Sequence, residues 1–361
     1  MPLSLLQINH FRNLTSVQLE PLTNGFNFIY GLNGSGKTSL LESIYYLSLG
    51  RSFRSHLINR VVHHGAEKFV LFANNLINEQ HIPIGIEKFY AGDSQIRING
   101  QDIQTLSALT HLTPVQLINS DCFNLLDAGP STRRKFIDWG VFYHNKQFLP
   151  AWRDYVQVIK QRNALLKQQK NLSAFVSWDQ VLATKALKLT ALREAYMADY
   201  LPLLAQKLQT LLPNFSLDIN FYPGWDLTQD LTQLLLKSFD KDRQLGYTQL
   251  GPHRADLKIK INKIAAKDIL SRGQQKLFVC AMILAQGELL LSANNKQPIY
   301  LIDDLPAELD TMSRSKLITE LALQNTQFFI TAVERLSLEN VFQTLPVKMF
   351  HVEHGRFTET I

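Results

Sequence analysis

The stretch Gly31-Leu32-Asn33-Gly34-Ser35-Gly36-Lys37-Thr38 restricts this chain more than any other. It fits the spacing G-x-x-x-x-G-K-[ST] of a phosphate-binding loop. Both flanks agree with that reading. Residues 26–30 read as a short buried strand, and residues 39–47 as an amphipathic helix. Glycines let backbone amides wrap phosphates, and the helix N-terminus adds free N–H groups and the positive end of its dipole. Gly31, Asn33, Gly34, Gly36, Lys37, Thr38 and Ser39 are therefore expected to cradle a nucleotide. Lys37 would reach the β- and γ-phosphates, and the Thr38 hydroxyl would bind Mg²⁺.

A phosphate cradle needs acids to complete it, and the far half of the chain offers them. Ile299-Tyr300-Leu301-Ile302-Asp303-Asp304 is an apolar run ending in two carboxylates. An apolar run suits a central parallel strand, and acids at its C-terminal end face the crevice where such sheets bind ligands. Asp303 is expected to hold Mg²⁺ opposite Thr38, and Asp304 to orient or deprotonate an attacking water. Before them, Ser271-Arg272-Gly273-Gln274 opens a long apolar helix. A hydroxyl, a flexible backbone and free helix amides make an anion site there, although the segment taken alone reads equally well as a plain helix cap.

Between these halves the character changes. Residues 1–120 read as mostly β, with strands near 3–8, 17–19, 69–76 and 82–89. A hairpin turns at Asn99-Gly100, a pair suited to a type I′ turn. From about Ser131 to Leu212 the pattern is helical, with Trp152, Tyr155, Ile159 and Leu166 at near-helical spacing. After Tyr247 the β/α alternation returns. The expected division is 1–128 for the first half of a nucleotide-binding lobe, 129–246 for a helical insert and 247–361 for the second half.

The net charge of +6 is concentrated in the insert, where residues 131–170 carry nine basic and two acidic side chains. Arg153, Lys160 and Lys167 recur every seven residues, which stacks them along one helix side. Such a row neutralises phosphates without reading base sequence, or is an ordinary solvated face. Two cysteines, Cys122 and Cys280, both in apolar stretches, argue for a reducing, cytoplasmic setting rather than a disulfide framework. No basic leader pattern opens the chain, and the longest apolar run, 277–285, is too short to span a bilayer.

The motifs together resemble the RecF family of bacterial recombination-repair ATPases. The likeness rests on Phe11-Arg12-Asn13, the phosphate loop, residues 50–55, Gly129-Pro130-Ser131-Thr132-Arg133-Arg134 and Gly251-Pro252-His253-Arg254. It also rests on Ser271-Arg272-Gly273-Gln274 and on Asp303-Asp304 with Glu308-Leu309-Asp310. The resemblance implies an α/β fold, a P-loop ABC/SMC-type ATPase head with an inserted, mostly helical second lobe. It implies ATP and Mg²⁺ as cofactors and a head-to-tail homodimer formed on ATP. In that dimer Ser271, Gly273 and Gln274 would meet the γ-phosphate held by the other copy, with Arg12 and Asp310 also at the nucleotide. The implied role is sequence-independent binding of gapped or duplex DNA, placing RecA at gaps with RecO and RecR, in support of replication restart and the SOS response.

Two departures shape the expectation. ABC ATPases carry Glu after the metal-binding Asp; here it is Asp304, one methylene shorter, which suggests weak hydrolysis. The histidine expected after the last core strand is absent, so Thr331 contacts the γ-phosphate or nothing. Gln116 is the candidate glutamine of the site, against a plain solvent-facing role. Arg51, Arg54, Arg133 and Arg134 join Arg153, Lys160 and Lys167 as DNA candidates, with Arg51 and Arg54 alternatively buttressing the nucleotide. His63-His64 lacks partners at zinc spacing and reads as a surface turn.

Overall fold

The computed structural model describes residues 2–77, 79–103, 105–168, 172–304, 309–335, 342 and 345–360. The chain opens with strands β1 (Leu3–Phe11), β2 (Leu14–Leu19) and β3 (Gly25–Tyr30), then helix α1 (Lys37–Leu49). Strands β4 (Lys68–Ile77), β5 (Gln80–Phe89), β6 (Ser94–Ile98), β7 (Gln101–Asp102) and β8 (Val115–Ile118) follow. Asn99 and Gly100 both have positive φ, 50° and 77°, as the expected hairpin turn requires.

Next come helices α2 (Pro130–His144), α3 (Phe148–Lys167) and α4 (Val176–Leu211), and strands β9 (Leu217–Tyr222), β10 (Asp256–Ile261) and β11 (Ile264–Ala265). The last stretch holds α5 (Arg272–Asn294), β12 (Ile299–Ile302), α6 (Thr311–Ala322), β13 (Gln327–Ala332), β14 (Val347–Glu353) and β15 (Arg356–Thr360).

These elements divide into two compact units. The first joins residues 1–122 to 276–361 and contains two six-stranded sheets. One is antiparallel, in the order β2-β1-β4-β5-β6-β7. In the other, β15-β14-β3-β13-β12-β8, the strands run parallel except for edge strand β15. An apolar cluster of this unit draws residues from both sheets and from α1, among them Phe11, Leu40, Ile44, Phe69 and Phe329. Helix α1 is buried nearly all round, not on a single face as an amphipathic helix would be. Its polar Ser39, Glu42, Ser43 and Ser48 are buried too, and each has a hydrogen-bond partner.

The second unit, 123–275, is longer than the expected insert and is not purely helical. Residues 247–275 belong to it because β10 pairs antiparallel with β9 over six positions, from Asp256–Tyr222 to Ile261–Leu217, and β11 adds to β10. The second compact unit thus ends at 275, where the return of β-type patterning leads one to expect 246. That pattern marks a three-stranded sheet of the insert itself.

Helix α5 passes a length and composition test for crossing a membrane, with 23 residues and mean hydropathy 1.6, which the nine-residue run inside it does not suggest. Its most apolar window is 72% buried within the protein, so its apolar character fits a core helix.

Candidate functional site

Positive φ and close neighbours fix two glycines of the phosphate loop. At Gly31, φ +154°, a Cβ would lie 2.2 Å from the Val352 carbonyl oxygen, and at Gly36, φ +122°, 2.8 Å from Leu14 Cδ2. Only glycine fits either position. Asn13, in the β1–β2 turn, fastens the loop from the side. Its Nδ2 donates to the Gly34 carbonyl at 3.0 Å, and its Oδ1 accepts from the Ser39 hydroxyl at 2.7 Å. The buried Lys37 ammonium donates back to the Gly31 and Leu32 carbonyls at 2.7 and 2.9 Å. Burial lowers its pKa from the ordinary value, opposed by the nearby Asp304 and Asp303 carboxylates.

Parallel pairing of β3 with β13, and of β13 with β12, brings the ends of these strands to the same side of the sheet. The Thr38 hydroxyl lies 3.1 Å from both Asp303 carboxylate oxygens. Thr331, at the end of β13, donates to Asp303 Oδ1 at 2.7 Å and accepts from the Asp304 N–H at 2.9 Å. Asp304 itself has φ +54° and an exposed side chain. These residues share a cleft of about 840 Å³ with Asn33, Gly34, Gly36 and Lys37.

Oxygens of one hydroxyl and one carboxylate, facing each other beside a phosphate cradle, suit a hard divalent cation that takes its remaining ligands from water and phosphate. Among the described residues no cluster of three or more acidic, His or Cys side chains forms a self-sufficient metal cage. The donor set therefore fits Mg²⁺ arriving with a nucleotide.

Other sequence candidates fall differently. Arg12 lines the cleft, but its guanidinium is committed to the fully buried Glu42, with Nε 2.9 Å from Oε2, and to the Arg60 carbonyl and Ser52 hydroxyl. Arg54 also lines the cleft, 3.7 Å from Glu42, which favours the buttressing alternative over DNA contact. Arg51 pairs with the Tyr45 hydroxyl. Gln116 is not in the cleft; it is buried on β8 and donates to Gln286 Oε1 at 2.9 Å. Asp310 is also away from the cleft wall. It caps α6, accepting the Ser313 N–H and hydroxyl at 2.9 and 2.8 Å, and those bonds hold its carboxyl below the ordinary range. Residues 305–308 of the segment read with it lie outside the described residues.

Several residues of the cleft were not foreseen, Asn59, Arg60, Val62, Ser120 and Val333 among them. His63 and His64, read as a surface turn, line it, because the Phe11–Val62 bridge and the His63 N–H bond to the His10 carbonyl fold that turn back over β1. Lys276, just past the signature-like segment, lines it as well. Contact between segments this far apart leaves no sequence signal.

In the second unit, Ser271 and Gln274 form a reciprocal cap. The Ser271 N–H donates to Gln274 Oε1 at 2.9 Å, and the Gln274 N–H to Ser271 Oγ at 3.4 Å. Ser271 is exposed, so the cap leaves it presented at the surface. Gly273 lies in the first turn of α5, partly exposed.

Arg133 and Arg134 are not offered to DNA. Arg133 grips Asp256 with two bonds of 2.7 and 3.1 Å, and Arg134 donates to the Ala255 carbonyl at 2.8 Å, both half-buried. They hold residues 255–256, just after the Gly251–Arg254 turn, and Arg193 holds the turn itself, donating to the Pro252 carbonyl at 2.7 Å. Arg153, Lys160 and Lys167 are all exposed on α3. Seven residues of helix rise span about 10.5 Å, close to three phosphate steps of about 3.4 Å along one DNA strand.

The family model for the RecF/RecN/SMC N-terminal domain matches residues 2–358. The chain is 44% identical over 358 residues to the DNA replication and repair protein RecF of Shewanella piezotolerans, covering 99% of each sequence. It is also 44% identical to the protein of that name from Shewanella woodyi, covering 99% of this chain and 98% of the relative. Among solved structures it is similar to the recombination mediator protein RecF-ATP of the RecFOR pathway. The TM-score is 0.86 at 26% identity, covering 100% of this chain and 98% of the other. A head of the Smc type in complex with the C-terminal winged-helix domain of ScpA, 14% identical with TM-score 0.63 over 100% and 97%, shares the fold.

Proposed function

The chain belongs to the RecF family within the RecF/RecN/SMC class of ATPase heads, and from that premise we propose that it is an ATP-dependent DNA-binding protein of recombinational repair. The observation that carries this reading is the meeting of Lys37 and Thr38 with Asp303 and Asp304 in one cleft.

ATP seats its phosphates on the loop amides, and the Lys37 ammonium exchanges the Gly31 and Leu32 carbonyls for phosphate oxygens. Thr38 and Asp303 would hold Mg²⁺, which would supply charge neutralisation at the phosphates. Asp304, free of the sheet and exposed, orients the attacking water. Its short side chain keeps turnover slow, as suits a clamp or timer. Lys37 is thus the phosphate anchor and Asp304 the acid nearest the chemistry, while Gln116 is left to the interior.

The exposed Ser271 cap and the helix amides behind it give a second copy's triphosphate a place to dock, making ATP the bridge of a head-to-tail homodimer. Duplex or gapped DNA lies along the exposed row Arg153, Lys160 and Lys167, bound through its backbone, and stimulates the weak hydrolysis. RecO and RecR act with the dimer to place RecA at gaps. Sedimentation with ATP and Mg²⁺, with and without gapped DNA, tests the scheme. Expected are a monomer alone, a dimer with ATP, and tighter DNA binding by the dimer. A chain that stays monomeric under every condition overturns it.

A further inference from the structure

We infer that Thr331 is a positioning residue of the hydrolytic site, one hydroxyl that orients the Asp303 carboxylate and closes the backbone turn at Asp304. The inference rests on the ATPase reading above.

Thr331 is fully buried near the end of β13, between β3 and β12. Packing alone would be met by valine, which has the same shape. A hydroxyl at such a position costs free energy unless its donor and acceptor are both used. Both are used here, and both go to the acid pair. The proton goes to Asp303 Oδ1 at 2.7 Å, a short charge-assisted bond, and a lone pair takes the Asp304 N–H at 2.9 Å.

The second bond explains how Asp304 leaves the strand. Its φ of +54° is a left-handed conformation that few side chains other than Asn and Asp adopt readily. Among the described residues, the Thr331 hydroxyl is the partner of the N–H that this turn withdraws from the sheet. The first bond, with that from Thr38, holds Asp303 between two hydroxyls from different parts of the chain. The carboxylate is therefore oriented before any cation or nucleotide arrives.

Thr331→Val, Thr331→Ser and the unaltered chain separate this role from a packing role. Binding of a fluorescent ATP analogue is titrated without and with Mg²⁺, and steady-state hydrolysis is measured alongside. All three chains should bind the analogue equally without Mg²⁺, within about twofold. In Thr331→Val the Mg²⁺ needed for half-maximal effect on binding should rise about tenfold and kcat fall at least about tenfold, with KM unchanged, on the scale of one lost charge-assisted hydrogen bond. Thr331→Ser should stay within about threefold of the unaltered chain. If Thr331→Val loses its cooperative melt, Thr331→Ala carries the same comparison. A Thr331→Val or Thr331→Ala chain that matches the unaltered one in Mg²⁺ midpoint and kcat overturns the positioning role while leaving the ATPase reading intact. An unaltered chain that neither binds the analogue nor hydrolyses ATP overturns that reading instead.

Discussion

The Thr38 hydroxyl lies 3.1 Å from both carboxylate oxygens of Asp303, a residue 265 positions away in the chain. One belongs to the phosphate loop and the other to the end of β12, so the pair joins the two halves of the first unit at its cleft. Variants of Lys37, beside Thr38 in the loop, and of Asp303 should separate nucleotide binding from turnover. Lys37→Ala should weaken ATP binding by about tenfold or more, since it removes the buried ammonium from the cradle. Asp303→Asn should leave binding of Mg²⁺-free ATP intact and lower hydrolysis by about a hundredfold. Equilibrium binding and phosphate release, measured on the same preparations, check both.

Asp304 has a backbone reason to be aspartate. At φ +54° a glutamate is less well tolerated, so the longer side chain that would reach the water better comes with conformational strain. Asp304→Glu should therefore not accelerate hydrolysis by the hundredfold that a better-placed base supplies. Asp304→Asn should hold ATP without turning it over and should accumulate as the dimer. Single-turnover hydrolysis and sedimentation of the two variants would reveal a different outcome.

Arg162 is fully buried in the second unit, with Nε 2.6 Å from Asp179 and one terminal nitrogen 2.8 Å from both Asp242 and Thr248. Burial raises the Asp242 pKa, opposed by Arg162 itself. Arg162→Met would leave two carboxylates without their cation, at a cost of about 3–5 kcal/mol. Urea unfolding should show a weakened second unit, while ATP-analogue binding by the monomer at the cleft of the first unit stays unchanged.

His253 should make the second unit acid-sensitive. Burial lowers its pKa from 6.5 to about 4. Nε2 lies 2.9 Å from the Thr248 carbonyl and Nδ1 2.6 Å from the Tyr155 hydroxyl, so the folded ring is neutral and carries its proton on Nε2. As pH falls below 6.5 the unfolded chain takes a proton that the folded ring refuses, and stability is lost down to about pH 4. The loss should approach about 3 kcal/mol at most. Melting curves from pH 7 to 4 should show it, and His253→Gln should flatten that part of the profile.

The row on α3 makes a different kind of claim. Replacing Arg153, Lys160 and Lys167 together by glutamine should weaken DNA binding uniformly across sequences and reduce the salt slope by about three units. Replacing Arg133 should instead lower the melting temperature, because its partners are Asp256 and the Leu125 and Leu126 carbonyls.

Local chemistry was legible in the amino-acid order. Glycines at the loop, an apolar strand ending in acids, and a serine followed three residues later by a glutamine each announce a backbone conformation that nearby atoms enforce. That is why the α/β class, the phosphate cradle, the acid pair and the helix start at Ser271 could be read directly. What the order could not disclose is which polar groups are consumed by partners far along the chain. Arg133 looks like a cation for DNA and Arg12 like one for the nucleotide until Asp256 and Glu42 fold against them, Gln116 looks like a ligand until Gln286 takes its amide, and Thr331 reads as a γ-phosphate contact or nothing until β12 brings Asp303 to its hydroxyl. A buried polar group must find a partner, and only the tertiary structure decides which one it finds.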